Sequence, residues 1–307
     1  MSNQGGIRQV LTRVLPASAL FLTSLAWVAT GASGPARVLA TSGSAPARPP
    51  CAATAFRTRD FSTPTAIDNR WLPLEPGARY VLEGQADRGQ GEGAHRVVLS
   101  VTDLAKSIDG VRSLVVWDND EQAGELVESE LAFFAQDDRG NVWGVGEYPE
   151  EYENGSLVGA PSTWIAGLNG ARPGLAMPGS PRLGSGWYLQ GWVPAIDFLD
   201  CAKVFKVGQQ RCVPAGCFGD VLVIDERNPL EPDSGSQRKD YAAGVGNVRI
   251  SAVGDKQGET LALVERRQLD SAELAAVRRA VQQMDRRARG VSDVYAATAP
   301  LGPLTSP

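Results

Sequence analysis

The chain of 307 residues carries one histidine and four cysteines, and that scarcity excludes several chemistries. A zinc centre needs about four nitrogen or sulfur ligands at suitable spacings, which one histidine and one close cysteine pair do not supply. Ser-His-Asp or Cys-His catalysis would have to run through His95, which follows a glycine-rich loop and reads as exposed. No Gly-x-Ser-x-Gly elbow occurs, and Gly184-Ser185-Gly186 reads as a turn. Excess positive charge is lacking as well: the net charge is −5, which argues against a nucleic-acid partner. Beyond the N-terminus there is no apolar run of membrane-spanning length. Gly89-x-Gly91-x-Gly93 opens no helix and so lacks the amide cradle of a phosphate loop. Asp118-Asn119-Asp120-Glu121 is rich in oxygen ligands, but Ala123 and Ser129 stand where an EF-hand requires glycine and glutamate. It reads as a solvated acidic hairpin tip. No cofactor or metal is expected.

What is present begins with an export signal. Arg8 and Arg13 precede an apolar run, Val14 to Ala29, and Thr30-Gly31-Ala32 ends it with small residues. Residues 1–32 read as a cleavable signal peptide, and the Pro/Ala/Ser stretch 33–50 as a disordered spacer. The mature protein is therefore expected in the periplasm or outside the cell, with no transmembrane segment. In an oxidising compartment an even cysteine count reads as disulfides. Cys212 and Cys217 bracket Val213-Pro214-Ala215-Gly216, which sets them opposite each other across a hairpin. By elimination Cys51 pairs with Cys201.

From Ala78 short apolar strands alternate with turn signals, among them Asp109-Gly110 and Asn154-Gly155. The fold class is mainly β: an antiparallel meander forming a strongly curved sheet or open barrel over residues 51–268. The stretch 160–181 is crowded with proline and glycine and reads as a long packed loop. Asp270 and Glu273 form a capping box. Leu274, Val277, Val281, Met284 and Ala288 then recur at helical spacing, which predicts one amphipathic helix, 269–295, packed on the sheet. Residues 296–307 read as a disordered tail.

A block rich in tryptophan and glycine resembles a family of uncharacterised exported bacterial proteins. Its residues are Gly140-Asn141-Val142-Trp143, Gly146-Glu147, Tyr152-Glu153-Asn154-Gly155, Trp164-x-Ala166-Gly167, Gly170-Ala171-x-Pro173-Gly174 and Met177-Pro178. The likeness runs from about Asp68 to Glu265. The sequence departs from the family pattern at Gly144, where an aromatic is expected, and at Gly191, where an acid is expected. The resemblance implies export and carries no activity.

The remaining signal is aromatic. Trp143, Tyr148, Tyr152, Trp164, Trp187, Tyr188 and Trp192 fall close together, as core filling or as the wall of a pocket. The candidate ligand contacts are Trp143, Glu147, Tyr152, Trp164, Met177 and Tyr188. The leading expectation is an exported, non-catalytic binding protein of the cell envelope that holds a small apolar or amphiphilic ligand. One alternative is an envelope protein-interaction module docking a partner through the loop 160–181. The other is a carboxylate-dependent hydrolase with Glu147 as its acid or base.

Overall fold

The computed structural model describes residues 49–87, 91–254 and 258–304. The expected signal peptide and the spacer up to residue 48 lie outside the described residues. Two-residue turns with positive φ organise the first half of the sheet. Asp109-Gly110 (φ 46° and 76°) joins β2 (Glu92–Ile108) to β3 (Val111–Gln122). Asn154-Gly155 (φ 50° and 73°) joins β5 (Val142–Glu153) to β6 (Ser156–Gly159). A third, Ala123-Gly124 (φ 51° and 82°), joins β3 to β4 (Glu125–Gln136). This third turn corrects the reading of Asp118 to Glu121 as a solvated tip. Glycine at 124 takes the left-handed conformation without a steric cost, so β3 runs on through the acidic residues.

The sheet closes on itself. β1 (Ala78–Asp87) pairs with β2 on one side and with β14 (Thr260–Gln268) on the other. Between them follow β8 (Arg172–Met177), β9 (Tyr188–Val193), β10 (Phe198–Val213), β11 (Gly216–Arg227), β12 (Ser236–Ala242) and β13 (Gly246–Val253). With β1 to β5 these form a closed barrel of 12 antiparallel strands. The expected curved sheet or open barrel is thus fully closed, which removes its unpaired edges. β6 and β7 (Trp164–Ile165) pair with β5 off the ring. The stretch 160–181 is therefore not one long loop: it supplies β7 and β8, and Thr163 to Ala166 are buried. Its glycines permit this, since a Cβ on Gly174 would lie 2.3 Å from the carbonyl carbon of Gln190.

One end of the barrel is plugged by the segment leading into β1. Ile67, Leu72 and Leu74 are buried there. The Asn69 side-chain amide donates to the carbonyls of Gly140 (2.8 Å) and Pro178 (3.2 Å), and the Gly244 amide donates to Arg70 (2.7 Å). Asn69 thus ties together two turns through their backbone acceptors. On the outer wall nearby, Phe56 packs edge-on against Trp143 at 5.2 Å.

The outer face of β2 to β5 is covered by α1 (Ser271–Val291). The expected capping box is present: the Asp270 carboxylate accepts from the amides of Ala272 and Glu273, and Glu273 accepts from the Asp270 amide (2.9 Å). Val277, Val281, Met284 and Ala288 are buried, each contributing about 1–3 kcal/mol by removal from water. A short α2 (Asp293–Ala296) sets the Tyr295 ring 4.6 Å from Tyr148. Lys106 is buried beneath it, 3.2 Å from Asp285 and 4.0 Å from the Tyr295 ring. Burial lowers its pKa to about 8, opposed by Asp285.

The C-terminal stretch departs from the disordered tail expected for 296–307. β15 (Gly302–Pro303) pairs with Leu104 and Ala105 of β2, and residues 305–307 lie outside the described residues. β1 covers β2 only as far as Ser100. The backbone groups beyond it need another partner, and the chain end provides one.

Two disulfides, Cys51–Cys201 and Cys212–Cys217, join all four cysteines. They fit an exported, non-cytoplasmic protein. No helix among the described residues is long and apolar enough to cross a membrane.

Candidate functional site

The cross-strand register determines what the barrel encloses. Leu99 stands opposite Asp118, and Asp118 opposite Glu130. One step along, Val97 stands opposite Asp120, and Asp120 opposite Glu128. The same face of the next strand carries Glu147, opposite Ala132. Across the barrel, Ala202 stands opposite Glu226, with Gln237 next to it, and Ile224 faces Lys239. Asp200 and Glu259 are buried as well. These residues gather toward the end where β1–β2, β3–β4, β11–β12 and β13–β14 turn. The interior is thus apolar along one half and acidic at the other.

This end is rich in acids. Among the described residues, the buried bases beside Asp118, Asp120, Glu128, Glu130, Glu147, Asp200, Glu226 and Glu259 are Lys239 and His95. Lys239 lies 2.5 Å from Glu226, which also accepts from the Gln190 amide (3.1 Å). His95, expected to be exposed, is 1% exposed: its Nε2 lies 2.8 Å from Asp120 and its Nδ1 3.3 Å from Glu259. The inward alternation of β2 carries it into the barrel instead of toward solvent.

Burying like charges together keeps carboxyls protonated. Burial, then Glu147, raises the pKa of Glu130 well above the ordinary range. Burial, then Asp120, does the same for Asp118; for Asp200 the causes are burial, then Glu226. Glu147 is pushed up to about 8 by burial, although the Trp164 indole, donating at 2.9 Å, and Lys239 both pull it down. Burial also raises Glu151 to about 7. A neutral carboxyl offers a donor and an acceptor, so this end is a surface of hydrogen-bonding groups beside an apolar wall. The Tyr188 hydroxyl, the Gln190 side-chain oxygen Oε1 and Asp118 Oδ1 are buried there without a hydrogen-bond partner. Glu147, Tyr188 and Glu226 each keep 8% of their surface exposed.

The residues singled out from sequence do not form one wall. Glu147 and Trp164 are in direct contact, and Trp164 stacks on Phe198 at 5.9 Å. Tyr188 is buried beside Glu226, and Met177, fully buried, stands opposite Val142. Trp143 instead packs with Phe56 and Phe61, its indole donating to Asp137 (2.9 Å). Tyr152 donates to Glu150 (2.8 Å), which Arg287 of α1 also holds. Both belong to the packing of the outer surface. His95, Asp118, Asp120, Glu128, Glu130, Asp200, Glu226 and Lys239 were not among the sequence candidates. The available signal was the period of two in Asp118/Asp120 and Glu128/Glu130, which puts both members of each pair on one face.

No protein-family model and no curated protein sequence matches the chain. Two solved structures are similar to it. One is a protein assigned as exported, with a YmcC-like fold, from Bacteroides fragilis: 13% identity, 65% of this chain, 100% of that chain, TM-score 0.34. The other is a protein assigned as a lipoprotein from Parabacteroides distasonis: 13% identity, 65% of this chain, 99% of that chain, TM-score 0.31. Likenesses at this level establish nothing about activity.

Proposed function

We propose that this is an exported, non-catalytic binding protein of the cell envelope, holding a small amphiphilic molecule at the acidic end of its barrel. The observation that carries the reading is the set of unpartnered buried atoms on Tyr188, Gln190 and Asp118, among neutral carboxyls and next to an apolar interior. Buried polar groups without partners are costly and call for an occupant. The proposed contacts are Glu147, Trp164 and Tyr188 for the polar head, with Met177 on the apolar side. A head group that donates hydrogen bonds, such as an amine, matches the unpartnered oxygens of Gln190 and Asp118.

Native mass spectrometry of protein purified from an oxidising periplasm tests this, followed by titration with a fluorescent alkylamine. The expected result is extra mass lost on denaturation, or saturable uptake of one probe per chain, weakened about tenfold in Tyr188→Phe. A bare mass together with no saturable uptake contradicts it. A second reading, a carboxylate-dependent hydrolase, rests on the raised pKa of Glu147, as a general acid at neutral pH requires. Cleavage of a nitrophenyl glycoside that disappears in Glu147→Gln would favour that reading.

A further inference from the structure

Outside the barrel, beside the Cys51–Cys201 bridge, a second site is built on different chemistry. Trp187 is fixed in place because its carbonyl accepts from the Ala52 amide (2.9 Å), next to the disulfide. The guanidinium of Arg227 lies 4.0 Å from the centre of its ring, and Lys203 Nζ lies 4.3 Å from it. Register explains the grouping: Lys203 stands opposite Asp225, two residues before Arg227 on β11. The chain leaving β11 turns through Asn228, whose side-chain oxygen accepts from the Leu230 amide (2.9 Å). Pro229 and Pro232 restrict that turn, and Gly235 returns it to β12. Between these parts lies a cleft of about 410 Å³, the size of a site for a small organic molecule.

Its charges are unequal. Among the described residues Asp225 is the one carboxylate in its wall, and it is already engaged by Lys203 (3.3 Å) and by the Ser236 hydroxyl (3.1 Å). Arg227 is exposed and makes no ion pair among the described residues. Asn228 is 6% exposed, and its Nδ2 is buried without a hydrogen-bond partner. An orphaned amide donor beside an exposed guanidinium stacked on the indole, together with a lysine, is a donor set for an anionic oxygen group. The indole and the prolines add an apolar wall for the body of the ligand.

We infer that this cleft binds a small organic anion, its carboxylate or phosphate held by Arg227, Lys203 and the Asn228 amide against Trp187. The site is separate from the barrel interior, and its ligand is of opposite charge preference. Isothermal titration of the full mature protein with glucuronate, glucose 6-phosphate and uncharged glucose tests it. Binding of at least one anion is expected, weakening with salt, with no heat from glucose; which anion binds distinguishes the carboxylate from the phosphate source. Arg227→Gln should weaken it about tenfold. Asn228→Asp keeps the oxygen that accepts from Leu230 but replaces the donor with an acceptor, and should abolish it. Arg279→Gln on the helix, with unchanged circular dichroism in all three variants, should bind as the parent does. Binding of neither anion, equal binding of glucose, or undiminished binding in Asn228→Asp would overturn the assignment.

Discussion

The two ends of the barrel are closed by opposite means. At one end Ile67, Leu72 and Leu74 bury apolar surface, and Asn69 fills the remaining carbonyl positions with good hydrogen bonds. At the other, buried carboxyls crowd together, and polar atoms of Tyr188, Gln190 and Asp118 keep no hydrogen-bond partner. The first arrangement has the form of a structural plug, with apolar burial and satisfied polar groups working in the same direction. The second costs stability, and burial there favours the protonated form of Asp118, Glu130, Glu147 and Asp200. An end that is expensive to maintain is the one at which function is sought.

The contrast can be broken from either side. The largest effect is expected beside the plug. Trp143→Ala removes a buried ring that packs on Phe56 and Phe61, and should cost about 3–5 kcal/mol in denaturant unfolding. The acidic end should respond to pH instead. Glu147 has a folded pKa of about 8 against an ordinary 4.5. The folded state therefore holds its proton where the unfolded state has lost it. Stability from this group is complete below about pH 4.5 and is lost as pH rises through about 8. Glu130, Asp118 and Asp200 shift in the same direction. Urea unfolding at pH 5 and pH 8 should show the protein less stable at pH 8. Glu147→Gln should make that fall shallower by on the order of 2 kcal/mol.

A smaller effect sharpens the picture of the plugged end. The β10–β11 hairpin tip lies against β14, where the Ala215 amide donates to the Leu263 carbonyl (3.0 Å). The Cys212–Cys217 bridge spans only that tip. Replacing both cysteines with serine should cost about 2 kcal/mol, since a short closed loop loses little chain entropy, and thermal unfolding would measure it. The smallest effect is a control that touches neither end. Asp270→Ala removes the N-cap of α1 and should lower stability by about 1 kcal/mol without altering the pH dependence.

Local chemistry made much of the fold legible. Asp109-Gly110, Asn154-Gly155 and the Asp270/Glu273 cap each depend on residues adjacent in sequence, and each stands where its pattern implied. Closure of the barrel was not legible, because the pairing of β1 with β14 joins Ala78 to Gln268 across almost the whole domain. The tail pairs with β2 for a similar reason: the vacancy it fills is created by the length of β1. At the candidate site, Glu147 and Trp164 were legible as a polar and an aromatic residue in one block. Asp118 and Asp120 were misread because acidic strands are usually solvated. Only the three-dimensional register, with Glu128 and Glu130 directly opposite, reveals that both pairs face inward.

Burial raises the carboxyl pKa values of Glu147, Glu130, Asp118 and Asp200, so protons held at neutral pH are the signature of the acidic end. Carbon-13 NMR of the side-chain carboxyls across pH 3 to 10, with Glu147→Gln to assign one resonance, measures it directly. The expected result is a Glu147 carboxyl that stays protonated through neutral pH and titrates near pH 8, with others that do not titrate in the ordinary range. Carboxyl resonances that all titrate between about pH 3 and pH 5, the range of exposed acids, would contradict it.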